Sequence, residues 1–210
     1  MSLLALTAEE LLDRFAAPDP TPGGGSAAAL AGAAGAALVT MVCRMPKTRT
    51  GDPGERTRLD DALARVAEAG SRLRRLVDED TAAYDAVIAA YRLPKGSEEE
   101  KVVRKRAVGA ALAHATDVPL RTAEACVAVL SAAGVAAADG NPNAASDALT
   151  AAALAWAGLR GAAENVRINL GDAAGPSPAR DRIDALEREG GERIAAMGPA
   201  PAGPGPARAR

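Results

Sequence analysis

The chain has 210 residues, 48% hydrophobic but only 2% aromatic, with 25 Lys and Arg against 27 Asp and Glu for a net charge of −2. A charge this close to balance excludes the strong field that recruits nucleic acid or an anionic membrane. One histidine, and two cysteines (Cys43 and Cys126) in no CxxC or Cys/His cluster, argue against a conventional zinc site, and no metal is expected.

The length suits one domain, read as residues 1–198. A core built mainly from alanine buries little area per residue, so the subunit is expected to dimerise. The start Met1-Ser2-Leu3-Leu4 lacks the basic and cleavage signals of a secreted chain, and both cysteines lie in apolar segments. A reducing cytoplasm is the expected compartment.

Thr7 with Glu10 forms a capping-box pattern and predicts a helix over 7–17. Thr21-Pro22-Gly23-Gly24-Gly25-Ser26 then opens a second over 24–45. Contiguous glycines leave backbone N–H groups uncovered at a helix N-terminus, where the macrodipole favours anionic atoms. Two readings stay open: Gly23, Gly24, Gly25 and Ser26 cradle a ligand, or the glycines only let a small-residue helix pack closely. No Gly-Lys-Ser/Thr follows, so the segment is not a P-loop. The apolar run Ala27–Val42 is shorter than the ~20 residues of a membrane span and reads as a buried core helix.

Asp52-Pro53 starts a third helix, predicted over 53–93. Along it Leu59, Leu63, Val66, Gly70, Leu73, Val77, Asp80, Tyr84, Val87 and Tyr91 recur at alternating spacings of four and three, the seam of a long packed helix. Of the adjacent carboxylates Asp78, Glu79 and Asp80, only Asp80 falls on that seam. A carboxylate aimed at a core is costly as an anion unless it is paired or its pKa rises. Asp80 is therefore either a proton carrier or a group that caps a neighbouring helix or pairs with an internal arginine.

Ser97 with Glu100 predicts a helix over 97–115, and Asp117-Val118-Pro119 predicts a new start and a helix over 118–138. Gly140-Asn141-Pro142-Asn143 is a turn before a helix at 144–170, with Asn143 or Ser146 as its cap. There Leu149, Ala152, Trp156, Leu159, Ala163, Val166 and Leu170 form an apolar stripe, with Asn165 and Asn169 one turn apart beside it. Those amides suit the edge of a heterocycle, a helix end or a subunit contact. His114, Trp156 and the charged run 98–106 read as packing or solvated surface. A last helix is predicted over 177–197, and the Pro/Gly/Ala tail 199–210 is expected to be disordered. No alternating strand pattern occurs. The expected fold is all-α, an up-and-down-like bundle of long helices.

Taken in order, several motifs resemble the cyclodeaminase/cyclohydrolase family of folate one-carbon enzymes. They are Pro20-Thr21-Pro22-Gly23-Gly24-Gly25-Ser26, Gly35-Ala36-Ala37-Leu38-Val39-Thr40-Met41-Val42-Cys43, Asp80-Thr81-Ala82-Ala83-Tyr84, Leu93-Pro94-Lys95, Val118-Pro119-Leu120, Gly140-Asn141-Pro142-Asn143, Ser146-Asp147 and Asn165-Val166-Arg167-Ile168-Asn169. The resemblance runs from about Leu11 to Arg182. It implies an all-helical, typically dimeric protein with a folate site near the subunit interface, the family's aspartate falling on Asp80 and its glycine turn on Gly23–Ser26.

Where relatives carry a Thr-x-Gly-Lys-type basic stretch, this chain has Arg44-Met45-Pro46-Lys47-Thr48-Arg49-Thr50-Gly51-Asp52, with Arg49 the nearest basic counterpart. The implied chemistry is acid/base work on the carbon bridging N5 and N10 of tetrahydrofolate. It is either hydrolysis of the methenyl bridge, favoured because no formiminotransferase domain is fused here, or ammonia release from a formimino group. Neither needs a cofactor beyond the tetrahydrofolate substrate. Asp80 is the expected acid/base, Lys47 or Arg49 the partner of the glutamyl tail, and Asn165 or Asn169 the group that orients the pterin. A non-catalytic folate-binding dimer is the rival reading.

Overall fold

A computed structural model describes residues 2–171 and 177–198. Among them are six α-helices and no strand: α1 (Ala8–Ala16), α2 (Gly24–Arg44), α3 (Pro53–Tyr91), α4 (Glu98–Asp139), α5 (Ala145–Leu170) and α6 (Pro178–Ala196). The predicted tail 199–210 lies outside the described residues. The capping residues act as the sequence predicts at three starts, and the structure adds a fourth. Thr7 and Ser97 close capping boxes on Glu10 and Glu100, Asp52 accepts from the Gly54 N–H at 2.7 Å, and Ser177 caps α6.

Consecutive helices α2 to α5 run up and down and close into a four-helix bundle, with α6 laid across α4 and α5. The α2/α5 pair shows why the core is thin. A Cβ at Gly35 would stand 2.7 Å from the Ala151 carbonyl oxygen, and one at Gly158 would stand 2.7 Å from that of Ala28. The two backbones meet directly, antiparallel, so only small residues fit between them. This also widens the buried face of α5 beyond the predicted stripe. Ala152, Leu159, Ala163 and Val166 are buried as predicted, Ala148, Ala151, Ala155, Gly158 and Ala162 are buried beside them, and Leu149, Trp156 and Leu170 stand half-buried on the flank. Cys43 and Cys126 are unpaired and buried, and burial pushes their thiols up to about 11 and about 12.

Two expectations need correction. The helices predicted at 97–115 and 118–138 are one, with Pro119 inside it. Proline removes an N–H and frees the carbonyl four residues back, which is Ala115 here; the Asn169 side-chain N–H donates to that carbonyl at 2.6 Å, so the helix continues. Nor do Asn143 or Ser146 cap α5. Asn141 caps a short 3-10 turn at Pro142–Ala144, and that turn runs straight into the helix. By length and composition α2 and α4 could each cross a membrane, the segment Gly24–Arg44 being longer than the apolar run Ala27–Val42, yet 56% of each apolar window is buried inside the bundle.

At 1.5 Å per residue α3 and α4 are about 60 Å long, while α2 and α5 reach about 30 and 40 Å. The excess of α3 and α4 projects as an antiparallel arm, Thr81–Tyr91 against the first turns of α4. Asp80 stands at its root, level with the N-terminus of α2.

Candidate active site

The seam of α3 is buried from Leu59 to Val77, apart from a half-buried Leu63, and then emerges. The three carboxylates after Val77 diverge as the sequence predicts. Asp78 accepts the Leu3 backbone N–H at 2.7 Å and ties down the N-terminal turn. Glu79 pairs with Arg121 and lies 3.9 Å from His114, both on α4. Asp80 turns toward α2.

There Gly23 is the N-cap and supplies no side-chain cap. The Asp80 carboxylate takes that place from across the bundle. It accepts the Ser26 hydroxyl at 3.0 Å and the Ser26 backbone N–H. Burial raises its pKa, and the two Ser26 hydrogen bonds oppose that rise. Asp80 is thus a partly buried carboxyl at the positive end of a helix, held on one oxygen and pushed toward the protonated form. Capping and proton carriage, alternatives in the sequence, are compatible in this geometry.

None of Gly23, Gly24 and Gly25 has a positive φ, so the turn is not a strained one. What the glycines supply is room. A Cβ on Gly25 would stand 2.0 Å from the Asp80 Oδ1, and one on Gly24 would stand 3.7 Å from the Asn165 Nδ2. Asn165 in turn donates to the Gly161 carbonyl at 2.8 Å, which fixes its amide at the C-terminal end of α5. Gly23–Ser26, Asp80 and Asn165 therefore converge.

The other candidates lie elsewhere. Asn169 gives its N–H to the carbonyl freed by Pro119. Lys47 and Arg49 sit beyond the far end of α2, about 30 Å from Gly24 by helix rise. Arg49 donates to the carbonyls of Ala137 and Ala138, its own N–H binds the Asp139 carbonyl, and its guanidinium borders a cleft of about 400 Å³ against α4 and α6. Glu55 organises the whole loop. It accepts from the Thr48 hydroxyl at 2.7 Å, from the Thr50 N–H and hydroxyl at 2.9 Å each, and from the Gly51 N–H at 3.1 Å. Those bonds lower its carboxyl to about 2. Among the described residues no group of three His, Cys, Asp or Glu is placed to hold a metal ion.

Residues 7–184 match the family model of formiminotransferase-cyclodeaminase. The chain belongs to that family. It is 42% identical to a methenyltetrahydrofolate cyclohydrolase from Methylorubrum extorquens over 86% of this chain and 87% of that protein. It is 35% identical to the rat formimidoyltransferase-cyclodeaminase over 90% of this chain, spanning 35% of that longer protein. The crystal structure of formiminotetrahydrofolate cyclodeaminase from Thermotoga maritima superposes with a TM-score of 0.75, at 28% identity and 93% coverage of both chains. In this family member the features of the helical bundle and its Asp80 site occur within a single matched region.

Proposed function

We propose that this chain is a methenyltetrahydrofolate cyclohydrolase with Asp80 as its acid/base. The observation that carries the reading is Asp80 itself. It is a carboxyl with a raised pKa, held by Ser26 and given space by Gly25, in a chain alike over nearly its full length to a protein of that name.

In this mechanism the Asp80 carboxylate takes a proton from water as the water oxygen bonds to the methenyl carbon of the cationic bridge, giving a neutral tetrahedral adduct. One carbon–nitrogen bond of that adduct then breaks. Asp80 returns its proton to the departing nitrogen, the adduct's hydroxyl becomes a carbonyl, and the hydroxyl proton leaves to solvent, so one proton is released per turnover. As an anion Asp80 also stabilises the cationic bridge. The first-turn N–H groups of Gly24 and Gly25 and the Asn165 side-chain oxygen supply donors and an acceptor for the pterin. The chemistry is proton transfer and needs no cofactor beyond the tetrahydrofolate substrate.

A second reading, formiminotetrahydrofolate cyclodeaminase, a lyase activity, is favoured by the names of the rat protein and the Thermotoga structure. There the same carboxyl would protonate the departing ammonia. Purified enzyme should consume the ultraviolet absorbance of methenyltetrahydrofolate, and Asp80→Asn should lower kcat by about 10²–10⁴-fold. Ammonia release from the formimino substrate, without that absorbance loss, would select the cyclodeaminase. Thermal protection by folate without either turnover would make the chain a binding protein only.

The working unit in this reading is a homodimer in the cytoplasm. Emergence of the seam at Tyr84 and Tyr91, 39% and 49% exposed, supports the dimer, and the unpaired buried cysteines support the compartment. Lys47, Arg49 and a ligand at Asp80 are a helix length apart in one protomer, so contact with the glutamyl tail requires the second copy's loop. Near-neutral charge and the buried α2 and α4 support a protein with neither nucleic-acid nor membrane partners.

A further inference from the structure

Ser26 is fully buried, so its hydroxyl must find partners inside the protein. It has two: the Asp80 Oδ2 at 3.0 Å, and the Thr81 Oγ1 at 3.3 Å. A serine hydroxyl has one proton. Because a carboxylate can only accept, that proton goes to Asp80, and the Thr81 hydroxyl must be the donor to Ser26.

Thr81 behaves unlike the other helical threonines with assigned bonds. Thr40, Thr57, Thr116 and Thr122 each donate to the carbonyl four residues back, on Ala36, Pro53, Leu112 and Val118. That is the default for a threonine inside a helix. The Thr81 hydroxyl turns from Val77 and faces Ser26 instead. Residues at i and i+1 of a helix diverge, so Asp80 and Thr81 communicate only because Ser26 stands between them.

We propose that Thr81 is a positioning residue for the reaction, a hydroxyl donor that holds the Ser26 proton on Asp80 and so keeps the acid/base in one orientation. This rests on the reading of Asp80 given above. Bonds in such a chain polarise one another, so the Thr81 donor strengthens the Ser26–Asp80 bond and favours the carboxylate over the acid. Other influences on Asp80 are few. From α2 it meets the Ser26 hydroxyl and N–H. From α5 the nearest polar group in the cluster is the uncharged Asn165. Toward α4 the Arg121 guanidinium is engaged by Glu79, His114 also faces Glu79, and Asp78 is tied to the Leu3 N–H. The hydroxyl pair is therefore the part of the site that a single substitution can alter without changing a charge.

Thr81→Val keeps the shape and deletes the donor, while Thr81→Ser keeps the donor. In Thr81→Val the limb of the kcat profile that reports Asp80 should move to higher pH, and kcat below that limb should fall about 2–10-fold with KM unchanged, the equivalent of one hydrogen bond. Thr81→Ser should restore the parental profile. The Asp80 carboxyl, followed by ¹³C NMR in the full chain without substrate, should titrate at higher pH in Thr81→Val, and in Thr81→Ala should the valine variant not fold. An unmoved carboxyl titration in a folded variant overturns the proposal, as does failure of Thr81→Ser to restore it. If the carboxyl titration moves while the kcat profile does not, the relay stands and the acid/base role of Asp80 fails, so the two readings are separable.

Discussion

In the proposed reaction Asp80 has opposite consequences for activity and for stability. Its folded pKa lies above its ordinary value because burial disfavours the anion. The folded state therefore binds this proton more tightly than the unfolded chain. Its contribution to stability is full at low pH and is lost as pH rises through the folded value. At neutral pH the buried anion is a cost, offset by the bonds from Ser26. Asp80→Asn removes the charge while its amide oxygen can still accept from the Ser26 N–H, so this variant should unfold at a urea midpoint no lower than the parent at pH 7. A large drop would mean that the carboxylate is there chiefly to hold α2. Asp78→Asn is the comparison at the neighbouring position, since it loosens the bond to Leu3 and leaves the α2 N-terminus alone. Beside it, Gly25→Ala should be far more harmful to kcat than Gly24→Ala. The first places a methyl 2.0 Å from the Asp80 Oδ1, and the second makes an ordinary contact with Asn165. Equal loss in the two alanine variants would refute steric placement of the carboxyl by Gly25.

Among the helices, the continuity of α4 depends on a partner from α5. Proline inside a helix costs about 3 kcal/mol, chiefly through its clash and the carbonyl it frees, and Asn169 answers the second part at Ala115. Asn169→Leu should destabilise the protein by about 1–3 kcal/mol, the penalty of an unsatisfied carbonyl. In a Pro119→Ala background, where residue 119 regains an N–H for Ala115, the same substitution should cost much less. An additive double-mutant cycle by urea denaturation would show that the two residues are not coupled.

The 45–52 loop makes a pH prediction of its own. Glu55 is held at about 2, below its ordinary 4.5, by Thr48, Thr50 and Gly51. Its stabilisation is therefore present above about 4.5 and lost as pH falls through about 2. Glu55→Gln should lower the melting temperature at pH 7 and flatten its decline over that acid window. A decline as steep as the parent's would assign the acid sensitivity to other groups.

For the molecule as a whole, the thin core and the arm point the same way. Alanine and glycine between α2 and α5 let backbones touch but remove little apolar area per residue. Meanwhile Tyr84, Tyr91, Val102 and Val103 remain exposed on the arm. Sedimentation equilibrium should give twice the chain mass at assay concentration. A monomer that turns over fully would refute the dimer and, with it, any contact of Lys47 or Arg49 with a ligand at Asp80.

The sequence by itself determined most of the helices and which of three adjacent carboxylates turns toward α2. Capping residues act over one turn, so Thr7, Asp52 and Ser97 are readable locally, and the four-three spacing through Val77 aims Asp80 and not Asp78 or Glu79 at its neighbours. Tertiary structure decided what local rules cannot contain. Pro119 reads as a helix start because the group that satisfies Ala115 is Asn169, 54 residues away in the chain. The buried face of α5 extends from its predicted stripe to the small residues beside it because α2 approaches its backbone. Lys47 and Arg49 look close to the glycine turn in sequence, yet the straight helix between them carries them to the other end of the bundle. Thr81 gives no signal in spacing, because its tie to Asp80 runs through Ser26 on a different helix.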